Sequence, residues 1–302
     1  MSGVQKPFLK WVGGKTQLLS SILPKIPNEI NNYHELFLGG GSVLLAVLSL
    51  QKQEKLKING SIYAYDLNES LIDLYNHLKY NKNDFFDAVT SISEQYNSIK
   101  QLNCEKSERK PETLEVALKS KESYYYWMRK VYNETSKGST QKSTLFLFLN
   151  KTCFRGLFRE GPNGYNVPFG NYKSSLVLIT KETLDSISEL IQNVNFIHSS
   201  FVNSIKNVET DDFAYIDPPY APEQDNSFVG YTACGFNNEQ HALLFNEIKQ
   251  IDTRGGKFML SNAKVPLVMS NFSDFNYEEI VARRAINSKN PEATTNEVVI
   301  YN

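Results

Sequence analysis

The 302-residue chain carries 32 Lys and Arg against 33 Asp and Glu, a formal net charge of −1, with 41% hydrophobic and 22% charged residues. That composition fits a globular protein of one large domain, or a domain with a sizeable insertion, and excludes a membrane-spanning or disordered chain. Three widely spaced cysteines (Cys104, Cys153, Cys234) and four scattered histidines offer no disulfide framework and no zinc pattern, so free thiols and no metal are expected. The near-neutral charge leaves nucleic-acid binding open, since a local basic patch decides it, and the first ten residues carry no signal-peptide core.

Residues 6–23 form a glycine-containing loop, Lys10-Trp11-Val12-Gly13-Gly14-Lys15, that feeds apolar spacing at Leu18, Leu19, Ile22 and Leu23. Gly14-Lys15-Thr16 invites a phosphate-binding loop, but that pattern needs a glycine where Leu9 stands, so it is rejected. Residues 33–50 read as strand, Gly39-Gly40-Gly41 turn and apolar helix, the first βα unit of a nucleotide-type fold. The dinucleotide fingerprint wants a further glycine where Leu44 stands, which disfavours a pyrophosphate and leaves a smaller adenosyl ligand. A second strand, 61–65, ends in Asp66, placed to accept from ribose hydroxyls. Asp66 or Asn68 can instead cap the helix predicted over 69–78.

From about 81 to 195 the character changes. Helices are predicted over 84–99, 114–133 (with Tyr124, Tyr125, Tyr126, Trp127 and Tyr132) and 143–150. Residues 151–173 then form a loop in which Pro162-Asn163-Gly164 makes a hairpin-type turn. Arg155 and Arg159 lie beside Phe154 and Phe158 there. Arginine suits the major-groove edge of guanine and an adjacent aromatic can wedge into a base step; a cover loop or a subdomain core is the plainer alternative. The α/β pattern resumes with a strand at 194–200, reaching Ser200-Phe201. Next comes the apolar run Phe213–Ile216, stopped at Asp217 by Pro218-Pro219-Tyr220. A helix over 238–251, a strand over 257–260 with Ser261-Asn262 at its tip, and strands at 277–284 and 297–301 complete the chain.

Assembled in order, these segments resemble the Dam-type N6-adenine DNA methyltransferases (D12 class, alpha group) over nearly the whole chain. The resemblance rests on Phe8 to Lys15, Glu35 to Ser42, Asp66-Leu67-Asn68, Asn150 to Lys173 with its Asn166-Val167-Pro168-Phe169-Gly170, and Ser200-Phe201. It continues through Asp217-Pro218-Pro219-Tyr220 to Arg283, Arg284 and Glu297. Each motif is weak alone; the ordered set is specific. Leu36 stands where relatives often have proline, and Arg155 and Asn171 stand where the Dam enzymes have asparagine and arginine.

The resemblance implies a Rossmann-like α/β sheet of the S-adenosylmethionine-dependent methyltransferases. A mainly helical target-recognition domain with a β-hairpin (81–195) would interrupt the catalytic parts (1–80 and 196–302). It implies S-adenosylmethionine as donor and S-adenosylhomocysteine as product, bordered by Trp11, Val12, Lys15, Glu35, Phe37, Gly39, Gly41, Asp66, Asn68, Ser200, Phe201 and Asp217. Lys15 is alternatively a surface or phosphate-contacting lysine. Double-stranded DNA would be met by Phe154, inserted into the stack, by Arg155, Leu157, Arg159 and Pro168 at base edges, and by Asn171 and Lys173. The arginine at 155 favours a palindrome such as CATG over GATC. The resemblance further implies a monomer, cytoplasmic and nucleoid-associated in a prokaryote or at a viral replication site, alongside a restriction endonuclease sharing the target.

Adenine N6 is a poor nucleophile because its lone pair is delocalised into the ring. Acceptors aimed at its N–H groups, here the Asp217 carboxylate and the Pro218 carbonyl held by the Pro218-Pro219 turn, localise that pair without a metal. Tyr220 is the stacking partner for a base drawn out of the duplex. Competing expectations are a binding-only relative, or a methyltransferase for a non-DNA amine.

Overall fold

The computed structural model describes residues 3–99, 107–172, 174–222, 236–283 and 294–302; Cys104, Cys234, Lys173 and Arg284 lie outside them. Two compact units emerge: residues 1–6, 15–67 and 193–302 form one, and residues 7–14 and 68–192 the other.

The first unit is built on a seven-stranded sheet of β1 (Tyr33–Glu35), β2 (Ile62–Asp66), β3 (Val194–His198), β4 (Phe213–Ile216), β5 (Lys257–Ala263), β6 (Asn276–Arg283) and β7 (Thr294–Tyr301), in the order β6-β7-β5-β4-β1-β2-β3. Pairing is parallel from β3 to β5; β7 runs antiparallel between β5 and β6. Every residue of β4 is buried, which is why that strand reads as a continuous apolar run rather than an alternating one.

Asp212, in the charged flank before β4, is a buried capping carboxylate: it accepts from Asn32 N (3.0 Å), Asn32 Nδ2 (2.8 Å), Asn31 Nδ2 (3.0 Å) and Glu209 N (3.0 Å). Those bonds tie the entries of β1 and β4 together. β5 runs through Ser261 and Asn262 instead of ending before them, because β7 supplies antiparallel partners as far as Ala263.

Helix α1 (Ser42–Lys52) is buried from Ser42 to Ser49, as expected of an interior helix apolar on all sides. Between β4 and β5 in sequence, a helix covers Asn238–Thr253. It starts with a capping box from Asn237 and Gln240. Its buried Leu244, Phe245, Ile248 and Ile251 share a cluster with Ala214, Ile216, Phe258 and Leu260 of the sheet. Each such side chain contributes about 1.5–3 kcal/mol by leaving water.

In the second unit, α2 (Glu69–Tyr80), α3 (Lys82–Ser98), α4 (Lys121–Glu134), α5 (Thr140–Thr152) and α6 (Lys181–Leu190) pack together with a two-residue-armed hairpin, Glu160–Gly161 against Gly164–Tyr165. The helix predicted over 114–133 is two, Leu114–Ala117 and α4. Ser120 breaks it by turning extended and accepting from Ser123 N at 3.0 Å. α6 was not anticipated, although Leu184, Ile187 and Ile191 are spaced for one face. α2 belongs to this unit rather than with residues 1–67, since its buried Leu71, Leu74, Tyr75 and Leu78 form its packing face. Residues 7–14 join it through Phe8, edge-on to Tyr75 at 5.7 Å, and Lys10, whose backbone N and O pair with the Asn150 amide (3.0 and 2.7 Å).

Candidate active site

The chain winds from β1 outward to β3, then returns to place β4 and β5 on the other side of β1. At such a reversal the loops after the two central strands part and leave a crevice at their carboxyl ends. The glycine turn follows β1 and Asp217-Pro218-Pro219-Tyr220 follows β4, so both motifs reach the same rim.

In the glycine turn Gly39 and Gly41 adopt positive φ (50° and 68°), and Gly41 begins α1, a conformation that L side chains resist. Leu36 N bonds Tyr215 O (3.1 Å), Leu38 N bonds Tyr65 O (2.8 Å), and Gly39 N donates to Asp66 Oδ2 (2.9 Å). The tip of β2 is thereby pinned to the turn. Asn68, in the second unit, caps α2 by accepting from Leu71 N at 3.1 Å.

Lys15 is buried. Its backbone N donates to Ser42 Oγ (3.0 Å) and its Nζ lies 2.7 Å from Asp217 Oδ2. The Asp217 side chain is 18% exposed, and its Oδ1 is buried without a hydrogen-bond partner among the described residues. Burial raises the Asp217 carboxyl to about 6; Lys15 works against that and Glu297 adds to it.

Tyr220 donates its hydroxyl to Glu297 Oε2 at 2.7 Å, and Lys15 Nζ sits 4.9 Å from its ring centroid. Pro218 is buried, and Ala221 N, just past the motif, is held by Asn262 Oδ1 at 3.0 Å. Glu35, at the end of β1, is buried and accepts from Tyr33 Oη (2.7 Å). Burial pushes its carboxyl up to about 8, so it is largely protonated at neutral pH.

Phe37 stacks on Phe201 at 5.9 Å, and Ser200 precedes the short helix Phe201–Ser204. Phe236 packs against both rings, at 6.2 and 5.6 Å. Neither Phe236 nor a role for Glu297 was legible beforehand. A lone aromatic and a lone carboxylate in a strand carry no local signal.

Trp11 and Val12 are half-buried in the second unit, Trp11 against Phe146 at 6.5 Å. In the same unit the loop from 153 to 172 divides its aromatics. Phe158 turns inward against Phe146 and Tyr165 (5.6 Å each), whereas Phe154 is 45% exposed. Phe154 N bonds Pro168 O (2.8 Å), and the Arg155 guanidinium lies 5.2 Å from the Phe154 ring. Arg155 and Asn171 take positive φ (57° and 54°), as Glu54 and Asp211 do elsewhere in the chain (58° and 64°). Arg159 is exposed, its Nε donating to Asn166 Oδ1 at 2.6 Å. Leu157 is half-buried with its O accepting from Tyr165 Oη (3.1 Å); Pro168 and Asn171 are exposed.

A sequence profile described as D12 class N6 adenine-specific DNA methyltransferase matches residues 11–286. The chain belongs to this family. It is similar to the type II methyltransferase M.MjaIII of Methanocaldococcus jannaschii, 33% identical over 294 residues that cover 94% of this chain and 93% of that one. It is similar also to the type II methyltransferase M1.LlaDCHI of Lactococcus lactis subsp. cremoris, at 30% with 98% and 95% covered. The DNA adenine methylase of Escherichia coli K12 is 29% identical, with 94% and 90% covered. The sheet of this DNA methyltransferase, mostly parallel with one reversed strand, is consistent with the methyltransferase fold expected from sequence.

Proposed function

We propose that the chain transfers a methyl group from S-adenosylmethionine to N6 of an adenine turned out of a short duplex target, leaving S-adenosylhomocysteine. The observation that carries this reading is Asp217 Oδ1, a buried acceptor without a partner among the described residues, at the rim where the glycine turn also arrives. A donor is wanted there, and the adenine amine is one.

The surroundings fit the cofactor. The two positive-φ glycines let backbone approach its amino-acid portion, Asp66 is positioned by Gly39 to accept from ribose hydroxyls, and Phe37 and Phe201 offer apolar faces for its adenine. When bound, S-adenosylmethionine supplies an electrophilic methyl carbon on a sulfonium. Asp217 and the Pro218 carbonyl would accept from the two N6 hydrogens and turn the nitrogen lone pair toward that carbon, with the ionised Asp217 carboxylate the base at hand for the proton that N6 gives up. Lys15 keeps Asp217 ionised, and Tyr220 stacks on the extruded base.

Target choice is assigned to the loop of the second unit, as a recognition domain. Phe154 is exposed to enter a base step, Arg159 is held by Asn166 to meet a guanine edge, and Arg155, Leu157, Pro168, Asn171 and Lys173 complete the contact. The arginine at 155 favours CATG over GATC. The type II names of two relatives support a role beside a restriction endonuclease acting on the same site; the chain is proposed to act as a monomer in the cytoplasm. Single-molecule sequencing of DNA from cells expressing the protein tests the reading. N6-methyladenine in one short motif is expected; a soluble, folded protein with no modified adenine would overturn it, and modification of GATC would overturn the CATG assignment.

A further inference from the structure

The hydroxyl of Tyr220 donates to Glu297 across 2.7 Å. Glu297 lies in β7, whose backbone is bonded on both sides, to Ala263 of β5 and to Ile280 of β6. The backbone that carries Glu297 is therefore held from both sides, whereas Tyr220 follows two prolines in a loop and has no ladder of its own. A bond to a carboxylate is the stronger kind, and by anchoring the hydroxyl it restrains the swing of the ring about its first side-chain torsion. Lys15 meets the same ring at 4.9 Å and Asp217 at 2.7 Å, so a ring that swings disturbs the ion pair as well.

We propose that Glu297 is a positioning residue for methyl transfer. By accepting from the Tyr220 hydroxyl it holds that ring at the place in the site where the extruded adenine stacks, and so sets the distance from N6 to Asp217. Glu297 touches neither substrate nor reacting atoms; it acts through Tyr220. The proposal rests on Tyr220 receiving the base, as in the function proposed above.

The test uses the full chain with S-adenosylmethionine and a duplex carrying its mapped target, with adenine for turnover and 2-aminopurine in its place for fluorescence. Tyr220→Phe and Glu297→Ala each remove the same bond. Each is expected to lower kcat about tenfold, the scale of losing one hydrogen bond to a charged group, with KM for DNA changed much less. The 2-aminopurine signal on binding should fall in both. Glu297→Gln, whose amide oxygen still accepts, should restore most of kcat, and Tyr220→Phe combined with Glu297→Ala should be no worse than either alone. Wild-type kcat in Glu297→Ala with an impaired Tyr220→Phe, or multiplicative losses in the double variant, would overturn the proposal. If Glu297→Ala does not fold, Tyr220→Phe and Glu297→Gln decide: equal losses in the two overturn it. Failure of the parent reading is separate, because the wild type itself would then neither methylate nor raise the 2-aminopurine signal.

Discussion

Removing the Lys15 cation while keeping its apolar stem, as in Lys15→Met, isolates what the ion pair does for Asp217. In the wild type the Asp217 carboxyl sits at about 6, burial raising it and Lys15 opposing the rise. A cation this close, at 2.7 Å, typically lowers a carboxyl by about 1–3 units. Without it Asp217 moves up to about 7–9, since burial and the Glu297 charge both still raise it. Taking about 8, the ionised fraction at pH 7 falls from about nine-tenths to about one-tenth, so kcat at that pH drops about tenfold. The assay is the single-turnover rate of methyl transfer against pH under saturating DNA and cofactor. The wild type should lose activity below about pH 6, and the variant should show the same limb displaced upward by about 1–3 units and recover toward about pH 9. A loss that is uniform across pH, or an acid limb that stays in place, would refute the argument and assign Lys15 to another task.

Asp217→Ala should abolish methyl transfer and leave duplex binding, measured by electrophoretic shift, largely intact; surviving activity would remove Asp217 from its role. Arg159→Ala should cost about 1–3 kcal/mol of discrimination at one base pair, read from kcat/KM on single-substitution targets, and an equal loss on all sequences would make it a phosphate contact. His241 is fully buried beside Phe236 and Phe245, both ring nitrogens without a partner among the described residues, and burial lowers it to about 4. Its folded value lies below the unfolded one, so the stability it protects is present above about pH 6.5 and is lost as pH falls toward 4, about 3 kcal/mol in all. Tm against pH should therefore fall less steeply over that window in His241→Leu than in the wild type, and parallel curves would refute the assignment.

Much of this protein is written locally. The run Phe213–Ile216 could only be a short buried strand, and two prolines had to end it, so the delivery of Asp217 to a strand tip follows from steric rules that act within a few residues. The glycine turn, the Asn68 cap and the Pro162-Asn163-Gly164 turn are legible for the same reason. Where the sequence reading went astray, the deciding partner was distant or the local signal was weak. β5 extends through Ser261 and Asn262 because β7 pairs with it, and 114–133 divides because one serine prefers to cap.

The electrostatics of the site came only with the tertiary structure. Nothing near Lys15 in sequence says that it will be buried against Asp217, and nothing near Tyr220 names Glu297. Those pairings follow from a strand order that sets β4 beside β1 and threads β7 between β5 and β6. Hydrophobic period and turn chemistry depend on neighbours along the chain, whereas burial, and with it the charge state of Glu35 and Asp217, depends on which elements close over a group.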